Sequence, residues 1–593
     1  MVELGWAALT SAALIIAVLA LLLWERWPPD RIMLGALAVL MGTGILTPRQ
    51  AMAGFWNPGV LTVGLLFVLV AALKSTGAIA WVGAALVGQA RRVGPALLRI
   101  MGLTAGLSAF VNNTPIVATL TSALENWSRR SGVPISKVLL PMNYATILGG
   151  MCTMIGTSTN LIVGGLAVQA GMAPMHLFTP LAAALPAAVV GVLFLSTVGH
   201  RLLPVRRSAV EQARQDAHEY ALEMLVCEDG PLVGRNIAEA RLRQLGCSYL
   251  VEVHRNGVLM AAVAPQMRLQ GGDRLVFVGA SDGIRELRRI DGLIHATDQL
   301  FAMDAASGDR FLVELVPSNF SPAIGKRLRE SDFRELYGVA VLAISRGGRR
   351  LPGKLGDVVL QAGDTLLAEA DAGFLDRHAH SGHFLLANEI DGKPAAVERG
   401  RAGLVLAVLA GMVLSNAVLG VDMLWSALAA AVAVLVTGSV KLDELRRSTD
   451  LRLLIVIASS FALGAAIDQT GLAAWIASGF GSIARADPFW TLVVLYVATV
   501  LFTELLTNNA AAVLMFPIGV SAASQLGVDA MPFVVAVMMG ASAGFMTPIG
   551  YQTNLMVYGP GGYRFTDYLR LGAPLSVLVG VAVLWGITRA WPF

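Results

Sequence analysis

Ser108-Ala109-Phe110-Val111-Asn112-Asn113-Thr114-Pro115 interrupts an otherwise continuous apolar stretch, Leu97–Trp127. Thr503-Glu504-Leu505-Leu506-Thr507-Asn508-Asn509 does the same to Pro488–Val520. Ser108 and Asn112 are four residues apart, as are Thr503 and Thr507, so each pair shares one helix face at the end of an arm. Pro115 suits the first turn of a returning helix. Each stretch therefore reads as a hairpin with a polar tip at membrane depth. Irregular backbone survives there only where it lines protein or a wet cavity.

A second kind of break follows each hairpin. Gly149–Asn160 interrupts Val138–Val168, and Met546–Asn554 interrupts Met531–Tyr558. Gly and Pro let a helix unwind, and the freed carbonyls can complete a cation site beside each tip. Hydroxyl and amide oxygens are hard ligands suited to sodium, and the N-terminus of each returning helix favours an anion. Two quasi-equivalent cation sites with an anion between them are expected. Thr157, Asn160, Glu504, Thr547 and Asn554 are further candidates. Glu504 is an intramembrane acid, with either a functional role or a structural pairing to backbone or a basic group. Asp468, near a Thr-Gly turn, reads as interfacial.

The remaining apolar segments fill out two blocks. The first holds Ala7–Trp24, Met33–Leu46, Leu61–Leu73, Ile79–Val87 and Leu177–Val198. The second holds Gly403–Leu419, Leu424–Val436, Leu453–Ala466 and Leu571–Trp591. No cleavable leader is evident, and Ala7–Trp24 reads as a retained first helix. The blocks are copies. Thr76-Gly77 matches Thr470-Gly471 and Asn160 matches Asn554, both at an offset of 394 (470 − 76; 554 − 160). Asn112-Asn113 aligns with Asn508-Asn509 at 396 (508 − 112). Repeated halves with breaks at corresponding places point to a secondary transporter.

Composition agrees. Of 593 residues, 55% are hydrophobic and 14% charged, against about 25% charged in soluble domains. The net charge of +4 is dispersed, which excludes a nucleic-acid footprint. Cys152, Cys227 and Cys247 have neither metal nor disulfide spacing. No P-loop, G-x-S-x-G or H-E-x-x-H motif is read here, and an enzyme is not expected. No TVGYG-type filter supports a potassium channel subunit.

The charges gather in the middle, where a soluble tandem repeat is expected. Gly234 pairs with Gly325 and Gly272-Asp273 with Gly363-Asp364, both at an offset of 91 (325 − 234; 363 − 272). Each unit reads as a small α+β module, with strands such as Tyr249–His254 and Arg274–Gly279 and a Gly-Asp turn before the last. It lacks G-x-G-x-x-G, so NAD binding is not expected. His378, His380 and His383 read as a solvated loop rather than a metal tract. Arg91, Arg92, Arg99, Arg129, Arg130, Lys137, Arg201, Arg206 and Arg207 flank the first hairpin and open the insert. They place these loops and the insert in the cytoplasm, with Arg26 and Arg31 outside. The boundaries are 1–203 for the first membrane repeat, 204–300 and 301–395 for the two modules, and 396–593 for the second repeat.

The tips, together with the segments AIDQTGLA, GTSTN and GYQTNLMVYGPGGY, resemble the divalent anion/sodium symporter family of dicarboxylate and sulfate transporters. The insert resembles paired TrkA-C modules, a layout similar to the sulfate-transporter branch. The resemblance implies a polytopic α-helical membrane protein in the cell membrane. It implies an inverted repeat with two re-entrant hairpins and two broken helices, a tandem TrkA-C-like insert, and a homodimer working by elevator-type alternating access. It implies import of a small divalent anion, sulfate foremost, with about two or three sodium ions. The alternatives are a dicarboxylate symporter or an arsenite or cation antiporter. Carried over, the sodium ligands are Ser108, Asn112, Asn113, Gly156, Thr503, Thr507, Asn508 and Gly550. The anion ligands are Asn112, Asn113, Thr114, Thr507, Asn508 and Asn509. A small-molecule ligand of the TrkA-C-like modules is also implied. The tips read Asn-Asn-Thr and Thr-Asn-Asn, where the family pattern is a paired Ser-Asn-Thr, and this departure bears on substrate choice.

Overall fold

The computed structural model describes residues 5–24, 27–79, 81–82, 93–206, 221–240, 242, 248–255, 258–261, 266–279, 287, 290–295, 310–318, 321–346, 349–351, 355–371, 373–378, 383–389, 398–440, 445 and 451–593. The chain divides into two compact units. One comprises Met1–Val205, Pro394–Val557 and Phe565–Phe593, and the other Arg206–Lys393 with Tyr558–Arg564.

The first unit is helical. Among the described residues, seven helices are long and apolar enough to cross a membrane. Its first half contains α1 (Trp6–Trp24), α2 (Pro29–Gly42), α3 (Pro58–Ser75), α4 (Val93–Ser108), α5 (Asn113–Ser131), α6 (Leu139–Gly150), α7 (Ser158–Gln169) and α8 (Leu181–Phe194). The second half contains α9 (Arg399–Ala417), α10 (Met423–Val436), α11 (Leu451–Gln469), α12 (Leu472–Ile483), α13 (Pro488–Leu505), α14 (Asn508–Leu526), α15 (Met531–Ser542), α16 (Gln552–Tyr558) and α17 (Phe565–Ala590).

Helix starts follow their capping chemistry. Asp487 precedes Pro488 and its carboxylate accepts from Trp490 N at 2.9 Å, which opens α13. Asn57 caps α3 by accepting from Gly59 N at 2.8 Å, and its amide donates to Gly165 O at 3.1 Å. Where Met33–Leu46 was expected, the helix is Pro29–Gly42. Two prolines set its start, and Gly44 at φ 74° ends it, a conformation that favours glycine. Most of Ile79–Val87 lies outside the described residues.

The two halves pack alike. α4 lies on α6 as α13 lies on α15, and the closing helices α8 and α17 run along each other. Gly149 sits where a Cβ would come 2.1 Å from Ala105 O, so backbones approach closely.

The second unit holds two five-stranded antiparallel sheets with one topology. β1 (Ala221–Val226), β2 (Ser248–Arg255), β3 (Val258–Ala261), β4 (Arg274–Gly279) and β5 (Leu293–His295) lie in the order β3-β2-β4-β1-β5. β6 (Arg310–Pro317), β7 (Ala340–Arg346), β8 (Arg349–Arg350), β9 (Thr365–Asp371) and β10 (Phe384–Glu389) repeat it as β8-β7-β9-β6-β10. Gly234 and Gly325 have φ of 82° and 77°, and Gly272 and Gly363 have 81° and 80°. Arg255 Nε donates to Asp273 at 2.7 Å, and Arg346 Nε to Asp364 at 2.7 Å. These carboxylates are buried, and the bond to each raises its arginine's pKa. Each module has its own apolar core, around Phe277 in one and Phe374 in the other.

The histidine tract differs from the expected solvated loop. His378 packs edge-on to Tyr337 at 5.2 Å and beside Phe374 at 5.2 Å. The Tyr337 hydroxyl lies 3.0 Å from His383 Nδ1. Aromatic burial wins because the short helix Phe374–His378 turns its last residue onto the module core. His380 lies outside the described residues, and no metal-ligating cluster occurs among the described ones.

Candidate functional site

Both hairpin stretches open at their polar centres. α4 stops at Ser108 and α5 starts at Asn113, while α13 stops at Leu505 and α14 starts at Asn508. Asn112 caps α5, its side chain accepting from Asn113 N at 2.9 Å. Thr507 caps α14 by accepting from Ala510 N at 3.4 Å. Inside the tips, the Ser108 hydroxyl donates to Asn113 Oδ1, and Thr503 Oγ1, which donates to Ala541 O at 2.6 Å, lies 3.2 Å from Asn508 Oδ1.

These contacts correct the repeat register. Asn113 corresponds to Asn508, an offset of 395 (508 − 113), and Asn112 to Thr507. Two adjacent asparagines in each half allow either alignment on paper. Only one asparagine in each sits five residues after the hydroxyl that meets it.

The second breaks share one bonding scheme. Thr153 Oγ1 donates to Ala109 O, and Thr547 Oγ1 to Glu504 O at 3.2 Å. Gly156 N donates back to Thr153 Oγ1 at 3.2 Å, and Gly550 N to Thr547 Oγ1 at 2.9 Å. Asn160 Nδ2 donates to Met151 O at 3.3 Å and Thr153 O at 2.7 Å. Asn554 Nδ2 donates to Gly544 O at 2.9 Å and Thr547 O at 2.8 Å. Asn160 and Asn554 are thus braces that tie unwound carbonyls in place. Gly156 is closed to a side chain by backbone, and Gly550 is crowded by the Glu504 and Thr547 side chains. A Cβ would come 2.7 Å from Ser108 O at the first and 2.6 Å from Glu504 Oε2 at the second.

Glu504 is 4% exposed and pairs with backbone. Oε1 accepts from Met546 N at 2.7 Å and Oε2 from Thr547 N at 2.9 Å. Its counterpart by the Ser108–Thr503 register is Ala109. Asp468 lies exposed at the end of α11.

The tips and breaks then cross between the halves. Asn113 Nδ2 donates to the Tyr551 hydroxyl at 2.6 Å, and that oxygen lies 3.5 Å from Thr157 Oγ1. Ser158 Oγ and Thr159 Oγ1 donate to Asn509 Oδ1 at 3.1 and 3.3 Å. Asn143 Nδ2 donates to Asn554 Oδ1 at 2.7 Å, and the Tyr144 hydroxyl donates to Phe545 O. Four irregular segments therefore close on one spot. Ser108, Asn113, Thr503 and Asn509 are buried there, Asn112, Thr114 and Asn508 half-buried, and Thr507 exposed. Asn112 and Ser158 also edge a cleft whose wall is apolar residues of α3 with Phe110.

Tyr551, Asn143 and Tyr144 are site residues beyond those expected from the sequence. The signal for Tyr551 was present, since it replaces Thr157 of the other half at an offset of 394 (551 − 157). Contrary to expectation, the G-x-S-x-G spacing is present, at Gly540-Ala541-Ser542-Ala543-Gly544. Ser542 ends an apolar helix, is 1% exposed, and its hydroxyl has no hydrogen-bond partner. The strand-to-helix elbow that exposes a nucleophile is absent from this segment.

The citrate transporter family (CitMHS) matches residues 19–540 and 404–591. A Chlamydomonas reinhardtii protein described as a sulfur deprivation response regulator is 35% identical, covering 93% of this chain and 96% of its own. An uncharacterised transporter of Synechocystis is 31% identical over 96% of this chain and 95% of its own. Sodium/sulfate cotransporter 1 of Chlamydomonas reinhardtii is 27% identical over 97% of this chain and 89% of its own. With its helical spans, its repeated breaks and these matches, the chain belongs to the CitMHS citrate transporter family, in the divalent anion/sodium symporter superfamily.

Proposed function

We propose that this protein imports sulfate with sodium across the cell membrane. The observation that supports it most is the convergence of two hydroxyl–amide tips and two unwound segments on one spot. In this reading the tips are re-entrant hairpins. Ser108, Asn112, Asn113 and the carbonyl of Gly156 hold one sodium ion, and Thr503, Thr507, Asn508 and the carbonyl of Gly550 hold another. The anion lies between them on Asn113, Thr114, Asn508 and Asn509. None of the hydrogen bonds described at the tips and breaks comes from an Arg or Lys side chain. The dianion is then held by N–H dipoles, hydroxyls and bound sodium, which suits a compact, permanently divalent oxyanion.

Bringing a dianion into a negative-inside cell costs about 2.3 kcal/mol per charge per 100 mV, hence coupling to at least a pair of sodium ions. The chain works as a homodimer by elevator-type alternating access. The insert is a cytoplasmic pair of TrkA-C-like modules that regulates transport and carries a site for a small-molecule ligand. The sodium/sulfate cotransporters among its relatives support the substrate.

Uptake of radiolabelled sulfate into proteoliposomes is the test, with sodium replaced by choline and with succinate and chloride as competitors. Sulfate accumulation that needs sodium and resists succinate is expected. Uptake that survives the replacement overturns the coupling. Succinate that is carried while sulfate is not favours the dicarboxylate reading.

A further inference from the structure

The two tips are alike in backbone and unequal in what reaches them. Asn113 Nδ2 is engaged by the Tyr551 hydroxyl at 2.6 Å. Its counterpart, Asn508 Nδ2, is buried and has no hydrogen-bond partner. Thr157 stands where Tyr551 would be in the other half, and it is too short to do the same. A buried amide N–H without an acceptor is costly and is retained where a ligand supplies the acceptor. One N–H of Asn113 is thus given to a protein hydroxyl, while both N–H groups of Asn508 Nδ2 are open to an anion oxygen.

That hydroxyl still has a proton to give. Its oxygen accepts from Asn113, and the 3.5 Å separation from Thr157 Oγ1 leaves the O–H weakly held. The contacts run from Asn113 to Tyr551 to Thr157, and from the next residue, Ser158, to Asn509 beside Asn508. The phenol thus bridges from the second break to the first tip along one side of the spot where the segments meet. It fills volume that a threonine would leave open. A long anion with charges at both ends would need both asparagine donors and the room between them.

We propose that Tyr551 is the specificity-determining residue of the anion site: its ring closes the side toward Asn113 and its O–H donates to the bound anion, which restricts cargo to compact oxyanions. This rests on the anion site proposed above. The structure pairs the ring and the donor in one side chain, so two substitutions separate them. Tyr551→Phe keeps the volume and removes the donor. Tyr551→Thr restores the residue of the other half and opens the side.

The experiment measures sodium-driven sulfate uptake and its inhibition by succinate in proteoliposomes of wild type and both variants. Selectivity is the ratio of two affinities within one preparation, so it does not depend on how much protein folds. For Tyr551→Phe, the sulfate KM rises about tenfold, the size of one lost hydrogen bond to a charged group, with succinate still rejected. For Tyr551→Thr, the ratio moves toward succinate by tenfold or more. Both variants keeping the wild-type sulfate KM and the wild-type ratio overturns the assignment, and if Tyr551→Thr does not fold, an unchanged KM in Tyr551→Phe does so alone. A wild type that prefers succinate refutes the sulfate reading separately. Tyr551 then falls with it only if neither variant shifts that preference.

Discussion

The first and second breaks use one backbone solution with different side chains. In each, a threonine bonds the preceding tip, a glycine bonds back to the threonine, and an asparagine ties two freed carbonyls. Yet Glu504 faces Met546 and Thr547 in the second break, where the first has Ala109. Asn554 is engaged by Asn143, whereas Asn160 Oδ1 has no partner. The shared bonds are what an unwound helix demands of any sequence, because freed backbone groups must be satisfied at membrane depth. The unshared ones are where the halves became free to do different work. The second break is the more heavily braced, and it alone is bound by a carboxylate, that of Glu504 in the neighbouring tip.

The largest expected effect comes from removing that carboxylate. Glu504→Ala leaves two buried N–H groups without acceptors and costs about 4 kcal/mol, from two charge-assisted bonds at about 2 kcal/mol each. Thermal unfolding should shift down and uptake should be lost. Glu504→Gln keeps one acceptor and should lose about half as much. Glu504→Ala with wild-type melting and transport would show that the carboxylate does not hold the break.

The braces provide a smaller and more symmetric comparison. Asn554→Ala removes two donated bonds and strands Asn143 Nδ2, while Asn160→Ala removes two bonds and strands nothing else. The first should cost about 3 kcal/mol and the second about 2. Melting temperatures of the two variants side by side check the order. Equal losses would mean that the cross-half bond from Asn143 contributes nothing.

How much of this could be read beforehand follows from which interactions are local. The breaks were legible because hydroxyls, amides and glycines cluster in otherwise apolar stretches, and nothing but a site or a packing seam tolerates them. The insert repeat was legible from Gly234 and Gly325, whose left-handed φ is a local demand. The register of the tips was not, since Asn112-Asn113 and Asn508-Asn509 match each other in composition. The side-chain contact from Ser108 or Thr503 decides it. Tyr551 was legible as the counterpart of Thr157, but its contact with Asn113 was not, because the two are 438 residues apart. The histidines misled for the same reason. A polar loop composition says nothing about an aromatic core folding back beneath it.

The two soluble modules extend the comparison to pH. By the offset of 91, His378 of the second corresponds to Leu287 of the first, which is 1% exposed in its core. Burial pushes the His378 imidazole below its ordinary value, Arg377 and His383 push the same way, and Asp371 opposes them. A histidine with a lowered folded pKa binds its proton more readily when the chain is unfolded. Stability is therefore full above about pH 6.5, the ordinary imidazole value, and falls as pH drops below it. The second module should lose stability on acidification by this route and the first should not. Thermal unfolding of the full-length protein between pH 7.5 and 5.5 should show a transition that shifts down in acid. His378→Leu, which installs the residue of the first module, should flatten that shift while leaving the neutral melting temperature close to wild type. An acid-side slope in His378→Leu equal to the wild type's would place the titration on another group.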